Sequence, residues 1–215
     1  MGPKELADGL IMYLGLVILL TFHEFGHAFI AWKCGDDTAR LQGRVSLNPL
    51  VHIDPIGTVL LPLLMLFWPG SGRFLVGWAK PVSVNLGNLR NPNSDDVLIT
   101  LAGPWMNLLL GIFLMGLARV GLALHSPDLL EICLKLSHLS LLLCFFNLLP
   151  IPPLDGSRVA RVMVGMSYET YFDLSRYGFL ILIVVLQIPF VQHVIGAVTH
   201  NAWATIGSWF GISLF

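Results

Sequence analysis

LADGLIMYLGLVILLTFHEFGHAFIAW, residues 6–32, runs from an apolar stretch straight into two histidines and a glutamate without a break between them. A helix needs about 20 predominantly apolar residues to cross the hydrocarbon core of a bilayer, and this stretch is long enough. An ionisable side chain at mid-bilayer costs on the order of 2.5–3.5 kcal/mol on insertion scales. His23, Glu24 and His27 therefore need compensation, and a bound cation would supply it.

The rest of the chain has the same character. Of 215 residues, 55 % are hydrophobic and 12 % charged, and the mean hydropathy is +0.77, well outside the range of a soluble domain. The lipid bilayer is the expected surrounding. A net charge of -1, with Lys and Arg dispersed singly between apolar runs, offers no basic surface, so nucleic acid is not an expected partner. Cys34, Cys133 and Cys144 form no CxxC pair and are odd in number, which points to packed thiols rather than a disulfide framework or a thiolate metal site. Lys4 ahead of the run Leu10–Phe22 has the look of a secretory signal, but no small-residue cleavage site follows, so the segment is expected to be retained.

Four stretches are long enough to span: Leu6–Trp32, Val97–Leu124, Leu129–Leu149 and Tyr177–Val198. Ile56–Trp68 is short and broken by Pro62, as a re-entrant or interfacial piece would be. Ala202–Phe215, with Trp203, Trp209 and Phe210, is also short and is expected to lie at the interface or pack against the bundle. Gly, Pro, Asn and Asp crowd residues 35–55 and 69–96, and the β-leaning pieces RFLVGW and KPVSVNL there predict short strands in loops. The predicted fold is an α-helical polytopic membrane protein with about four spans, one partial span and small strand-like loops, all in a single domain over 1–215. If Ile56–Trp68 only dips into the membrane, one side receives Lys33, Arg40, Arg44, Arg73, Lys80, Arg90, Arg158, Arg161 and Arg176, and the other only Lys4, Arg119 and Lys135. That bias marks the first side as cytoplasmic.

In HEFGH, His23 and His27 stand at i and i+4, one turn apart on one helix face, where two imidazoles can grip one ion. Zinc accepts such nitrogens together with a carboxylate, and a catalytic zinc keeps a fourth position for water. Glu24, next to the first histidine, is placed to exchange a proton with that water. A third ligand must come from another helix at similar depth. FFNLLPIPPLDGSR, residues 145–158, ends the third long stretch in a proline-broken segment carrying Asp155. Taken alone, Asp155 reads equally well as a helix N-cap; beside HEFGH the ligand reading gains weight. His23 and Asp155 can meet only if the first and third long helices leave the membrane on the same side, which the re-entrant topology provides.

These residues resemble the site-2 protease family of intramembrane zinc metalloproteases. HEFGH looks like the family's HExxH, NLLPIPPLDG (147–156) like its Asn...Pro...AspGly motif, and AGPWMN (102–107) like its AGPxxN. SLNPLVHIDPIG, GWAKPV and the small size are similar to the compact prokaryotic members without PDZ or CBS domains. The resemblance implies His23, His27 and Asp155 as ligands of one Zn2+ per chain, Glu24 as general base and acid, and Asn147 as stabiliser of the oxyanion. It also implies regulated intramembrane proteolysis of single-span membrane proteins. The expected location is the cell (inner) membrane, with the active site nearer the cytoplasmic face.

His52, in HIDP at the entrance to the short apolar run, reads either as a gate or extra ligand or, with more weight, as a structural hydrogen-bonding residue. Asn107 either binds near the site or joins helices. The segment around Lys80, Pro81 and Val82 is a candidate edge for an unwound substrate to pair with. A non-proteolytic metal-binding transporter or scaffold is the competing class, and Glu24 speaks against it, because transport needs ligands but no general base. The chain has no GxSxG serine motif, and CAAX-type zinc proteases more often use Glu as third ligand. Substrate identity, trigger and oligomeric state are not encoded legibly.

Overall fold

A computed structural model of the chain describes residues 2–67 and 77–214. Every regular element among them is helical, and none is a strand. α1 (Pro3–Lys33) starts with a proline in its first turn and Glu5 accepting from the Gly2 N–H at 3.0 Å, and it ends with Lys33 at the negative end of its dipole. At 31 residues it is about 46 Å long, more than a bilayer core needs.

After α1 come the short α2 (Thr38–Leu41), a π-helical stretch (Pro55–Leu60) and α3 (Leu61–Phe67). The π stretch is capped by Asp54, whose Oδ1 accepts from the N–H groups of Ile56 and Gly57. After this apolar piece the chain is back beside Gly57 at Trp78, whose N–H donates to the Gly57 carbonyl at 3.2 Å. The apolar piece Pro55–Phe67 is therefore part of an excursion and not of a crossing. Trp68 lies outside the described residues, as do Arg73–Val76 of the expected RFLVGW strand. The described remainder, Gly77–Asn85, carries neither helix nor ladder: its N–H groups go to scattered acceptors on α1 and the preceding loop, so the expected strands are not formed there.

Asp36, fully buried just beyond α1, gathers this loop. It accepts from the Thr38 N–H and hydroxyl, from Asn88 Nδ2 at 2.9 Å and from the Asn85 N–H at 2.7 Å. Burial alone would raise its pKa, but these hydrogen bonds outweigh it and hold the carboxyl below the usual range. The Arg90 N–H then meets the Cys34 carbonyl, which sets the start of α4 (Pro92–Ala123) beside the end of α1.

α4 runs antiparallel to α1, and α5 (Pro127–Asn147) runs antiparallel to α4. Small and hydroxyl residues bring these backbones together, as is usual in lipid. A Cβ on Gly26 would meet the Ala102 carbonyl at 2.7 Å. Ser137 and Ser140, both fully buried, donate to the carbonyls of Gly111 and Asn107 at 2.8 and 2.7 Å. The three long helices α1, α4 and α5 are each long and apolar enough to cross a membrane.

The fourth expected span, Tyr177–Val198, is not one helix. α6 (Asp155–Met163) and α7 (Tyr168–Ser175) lead into α8 (Gly178–Leu186), which meets α9 (Pro189–Trp209) at a bend of 83°. The residue before a proline avoids the helical region, and Ile188 is extended (ψ 115°) ahead of Pro189. Gln192 Nε2 satisfies the freed Leu186 carbonyl at 2.7 Å. The expected C-terminal piece from Ala202 forms the last turns of α9 and packs: Trp203, Phe210 and Leu214 lie on the cluster of Met115, Cys133, Leu141 and Ile206.

Candidate metal centre

On α1, the i, i+4 spacing sets Nε2 of His23 and Nε2 of His27 3.1 Å apart. Asp155, the first residue of α6, brings its Oδ2 to 3.1 Å from the one and 3.3 Å from the other. Both imidazoles are buried. His27 Nδ1 donates to the Ile99 carbonyl at 2.7 Å, which places a proton on that nitrogen and turns Nε2 towards His23 and Asp155. Asp155 Oδ2 is a buried acceptor that no donor among the described residues satisfies.

Two nitrogens and a carboxylate oxygen with their lone pairs turned inward repel one another unless a cation lies between them. Ligands 2.0–2.1 Å from a tetrahedral ion sit about 3.3 Å apart, which matches the observed edges. Among the described residues this is the one cluster of three His, Cys, Asp or Glu able to hold a metal ion. α4 leaves room for it at Gly103, where a Cβ would collide with His27 Nε2 and come within 2.6 Å of His23 Nε2.

The carboxamide of Asn107, fully buried on α4, faces His23 Nδ1 at 3.1 Å. If His23 Nε2 faces an ion, Nδ1 carries the proton and needs an acceptor. A half-turn of the amide, which leaves its shape unchanged, offers Oδ1, otherwise without a partner among the described residues. Glu24 is buried on the same helix as the histidines, and its Oε2 accepts the Val82 N–H at 3.1 Å.

A family model described as Peptidase family M50 matches residues 11–126 and 122–186. The chain belongs to peptidase family M50. It is therefore a zinc metalloendopeptidase of the site-2 protease type and a membrane protein. YwhC of Bacillus subtilis (strain 168), named as a candidate zinc metalloprotease, is 37 % identical to it over 192 residues, covering 86 % of this chain and 83 % of its own. Rip2 of Mycolicibacterium smegmatis, named likewise, is 32 % identical over 183 residues, 84 % of this chain and 68 % of its own. The zinc metalloprotease MJ0392 of Methanocaldococcus jannaschii is 25 % identical over 159 residues, 74 % of this chain and 35 % of its own. No solved structure matches.

Within this M50 peptidase the structure brings His23, His27, Asp155, Glu24, Asn107 and Val82 to one place. It does not bring Asn147 into bonded contact with them: at the end of α5, Asn147 Nδ2 donates to the Leu143 carbonyl at 2.9 Å. His52 is buried away from the three inward-facing atoms. Its Nε2 donates to the Ser46 carbonyl at 2.8 Å, and its own carbonyl accepts the Lys80 N–H at 2.9 Å. Arg44 adds bonds to the carbonyls of Val51 and Lys80. His52 is thus a structural anchor for the segment Lys80–Val82, of which Lys80 and Pro81 are exposed.

Sequence reading missed two contributors to this geometry: the Ile99 carbonyl and Gly103. A backbone carbonyl carries no residue signature, and Gly103 stood in a recognised motif without a stated job.

Proposed function

We propose that this M50 peptidase cleaves single-span membrane proteins within or near the bilayer, with His23, His27 and Asp155 holding one zinc ion and Glu24 as general base and acid. The observation that carries the reading is the convergence of two imidazole nitrogens and one carboxylate oxygen at 3.1–3.3 Å beside a helix long enough to span. His23 and His27 lie about 15 and 9 Å from the end of α1 at 1.5 Å per residue, within the thickness of the hydrocarbon core. A regulated, membrane-tethered substrate fits a site at that depth.

Zinc, when bound, polarises the scissile carbonyl and acidifies a water molecule. Glu24 takes the proton as the water oxygen adds to the carbonyl carbon, and returns it to the amide nitrogen as the C–N bond breaks. The Val82 N–H fixes the orientation of the Glu24 carboxylate for this transfer. Asn107 and the Ile99 carbonyl keep the two imidazoles turned with Nε2 inward. Asn147 is assigned the oxyanion, for which its amide has to leave the Leu143 carbonyl. A substrate helix must unwind to expose a peptide bond, and the exposed edge at Lys80–Val82 suits an unwound strand. The ends of α1 and α5 and the start of α4 share the face that carries Lys33, Arg40, Arg90 and Arg158; with the positive-inside bias this supports a site nearer the cytoplasmic face of the cell membrane.

The test uses full-length protein in lipid vesicles, comparing wild type, Glu24→Gln and Asp155→Ala for zinc content and for cleavage of a reporter with one transmembrane helix. Wild type is expected to hold one zinc and cleave. Glu24→Gln is expected to keep the zinc and lose about 10²–10⁴-fold in rate, and Asp155→Ala to bind zinc only weakly, through His23 and His27, and to lose cleavage. Cleavage by Glu24→Gln at the wild-type rate overturns the assignment.

A further inference from the structure

Asp96 sits in the second turn of α4 and is fully buried. Its Oδ1 accepts from Arg158 Nη2, and its Oδ2 accepts from Arg161 Nη2 and from the Tyr168 hydroxyl, each at 3.1 Å. Arg161, itself buried, lies with its guanidinium 3.7 Å over the Tyr168 ring and also donates to the Tyr168 hydroxyl oxygen at 2.8 Å. One carboxylate thus receives three donors, two of them from α6. That helix is only nine residues long, and its first residue is Asp155.

Upstream of Asp155 the chain is the proline-broken stretch Leu148–Leu154, against which Gly156 packs closely. Beyond that contact α6 is gripped by α4 through Arg158 and Arg161, which stand one and about two turns beyond Asp155. The same α4 presents the Ile99 carbonyl to His27 and Asn107 to His23. Orientation of all three inward-facing side chains therefore converges on one helix.

We infer that Asp96 is a positioning residue for the metal centre: by holding Arg158 and Arg161 it fixes the first turn of α6 and aims the Asp155 carboxylate at His23 and His27. The inference rests on the reading of those three residues as the zinc site. Loss of a group that orients a ligand costs about 10–100-fold in metal affinity, and that is the effect expected here.

The experiment measures zinc affinity of the full chain in detergent by competition with a chromophoric chelator, with helical content and thermal unfolding of the metal-free protein followed alongside. Wild type, Asp96→Asn, Arg158→Gln and Asp155→Ala are compared, together with each of the first two changes combined with Asp155→Ala. Arg158 is partly exposed, and its removal leaves Asp96 paired with Arg161 and Tyr168. Asp96→Asn and Arg158→Gln are expected to weaken zinc about 10–100-fold and about tenfold respectively. In the Asp155→Ala background both effects should vanish, because the ligand through which they act is gone; Asp96→Glu should recover part of the loss. Unchanged affinity in folded single variants, or equal effects with and without Asp155, overturns the inference. So does loss of helical content in both, which would make the network a folding element. If wild type binds no zinc, or Asp155→Ala binds as wild type does, the underlying site reading fails instead.

Discussion

The Val82 N–H donates to Oε2 of Glu24 across 3.1 Å, joining a loop residue to a carboxylate buried in a membrane-spanning helix. A hydrogen bond to a charged group contributes about 1.5–3 kcal/mol, and here it selects the orientation of the carboxylate proposed to accept a proton. The segment that carries Val82 is in turn fastened through Lys80 to His52 and Arg44. Loop and catalytic helix are therefore one mechanical unit.

Val82→Pro removes the donor while keeping an apolar side chain of similar size. The rate of peptide cleavage is expected to fall about tenfold, one hydrogen bond's worth of orientation, with zinc content unchanged. Val82→Ala, which keeps the N–H, should remain within about twofold of wild type. Parallel assays of zinc and reporter cleavage decide it, and equal rates for the two variants would show that the bond does not matter.

Gly103→Ala separates helix stability from site geometry. Alanine is the better helix former by about 1 kcal/mol, so α4 itself should not suffer. The added methyl nevertheless lands on the Nε2 atoms of His27 and His23. Zinc is expected to be lost from purified protein that keeps wild-type helical content by circular dichroism. Full zinc occupancy in this variant would show that the histidines can retreat.

Asn107 serves two helices at once: its carboxamide faces His23 Nδ1, and its backbone carbonyl accepts from Ser140. Asn107→Leu removes only the first of these. Zinc affinity should drop about 10–100-fold, while Ser140→Ala, which touches only the second, should cost about 1 kcal/mol of stability and leave zinc affinity alone. Chelator competition and thermal unfolding on the two variants resolve the prediction.

The parts of this protein that were legible in its sequence are those with a period or a fixed spacing. Apolar length announced α1, α4 and α5, and the i, i+4 spacing placed His23 and His27 on one face. Asp155 was reachable because it had to come from a second helix at the same depth, and the distances of 3.1 and 3.3 Å show the two elements meeting. What was missed is one local break and several features that depend on tertiary contact. Tyr177–Val198 has the hydropathy of a span, and only the conformational demand of Pro189 on Ile188 turns it into two helices. KPVSVNL has the composition of a strand, yet no neighbour among the described residues offers it a ladder, and the N–H groups of Lys80, Val82 and Asn85 are taken by His52, Glu24 and Asp36. Asn147 was assigned from its motif alone, and its amide lies on its own helix.

Asp36 closes the loop that ends in Arg90, and its loss should be felt as unfolding rather than as lost chemistry. Asp36→Ala takes the acceptor from the donors of Asn85, Asn88 and Thr38 at once, and a hydrogen bond to a charged group contributes about 1.5–3 kcal/mol. A fall of about 3 kcal/mol in stability is expected, with zinc still bound below the unfolding temperature. The pH dependence has a definite sign. The folded carboxyl lies below its unfolded value of about 3.9, so its contribution is complete above that value and disappears as the pH falls through the depressed folded one. Wild type should therefore lose its advantage over Asp36→Ala only in acid below about pH 4; a difference in unfolding temperature that stays constant down to pH 2 would show that the charge of Asp36 is not what the loop relies on.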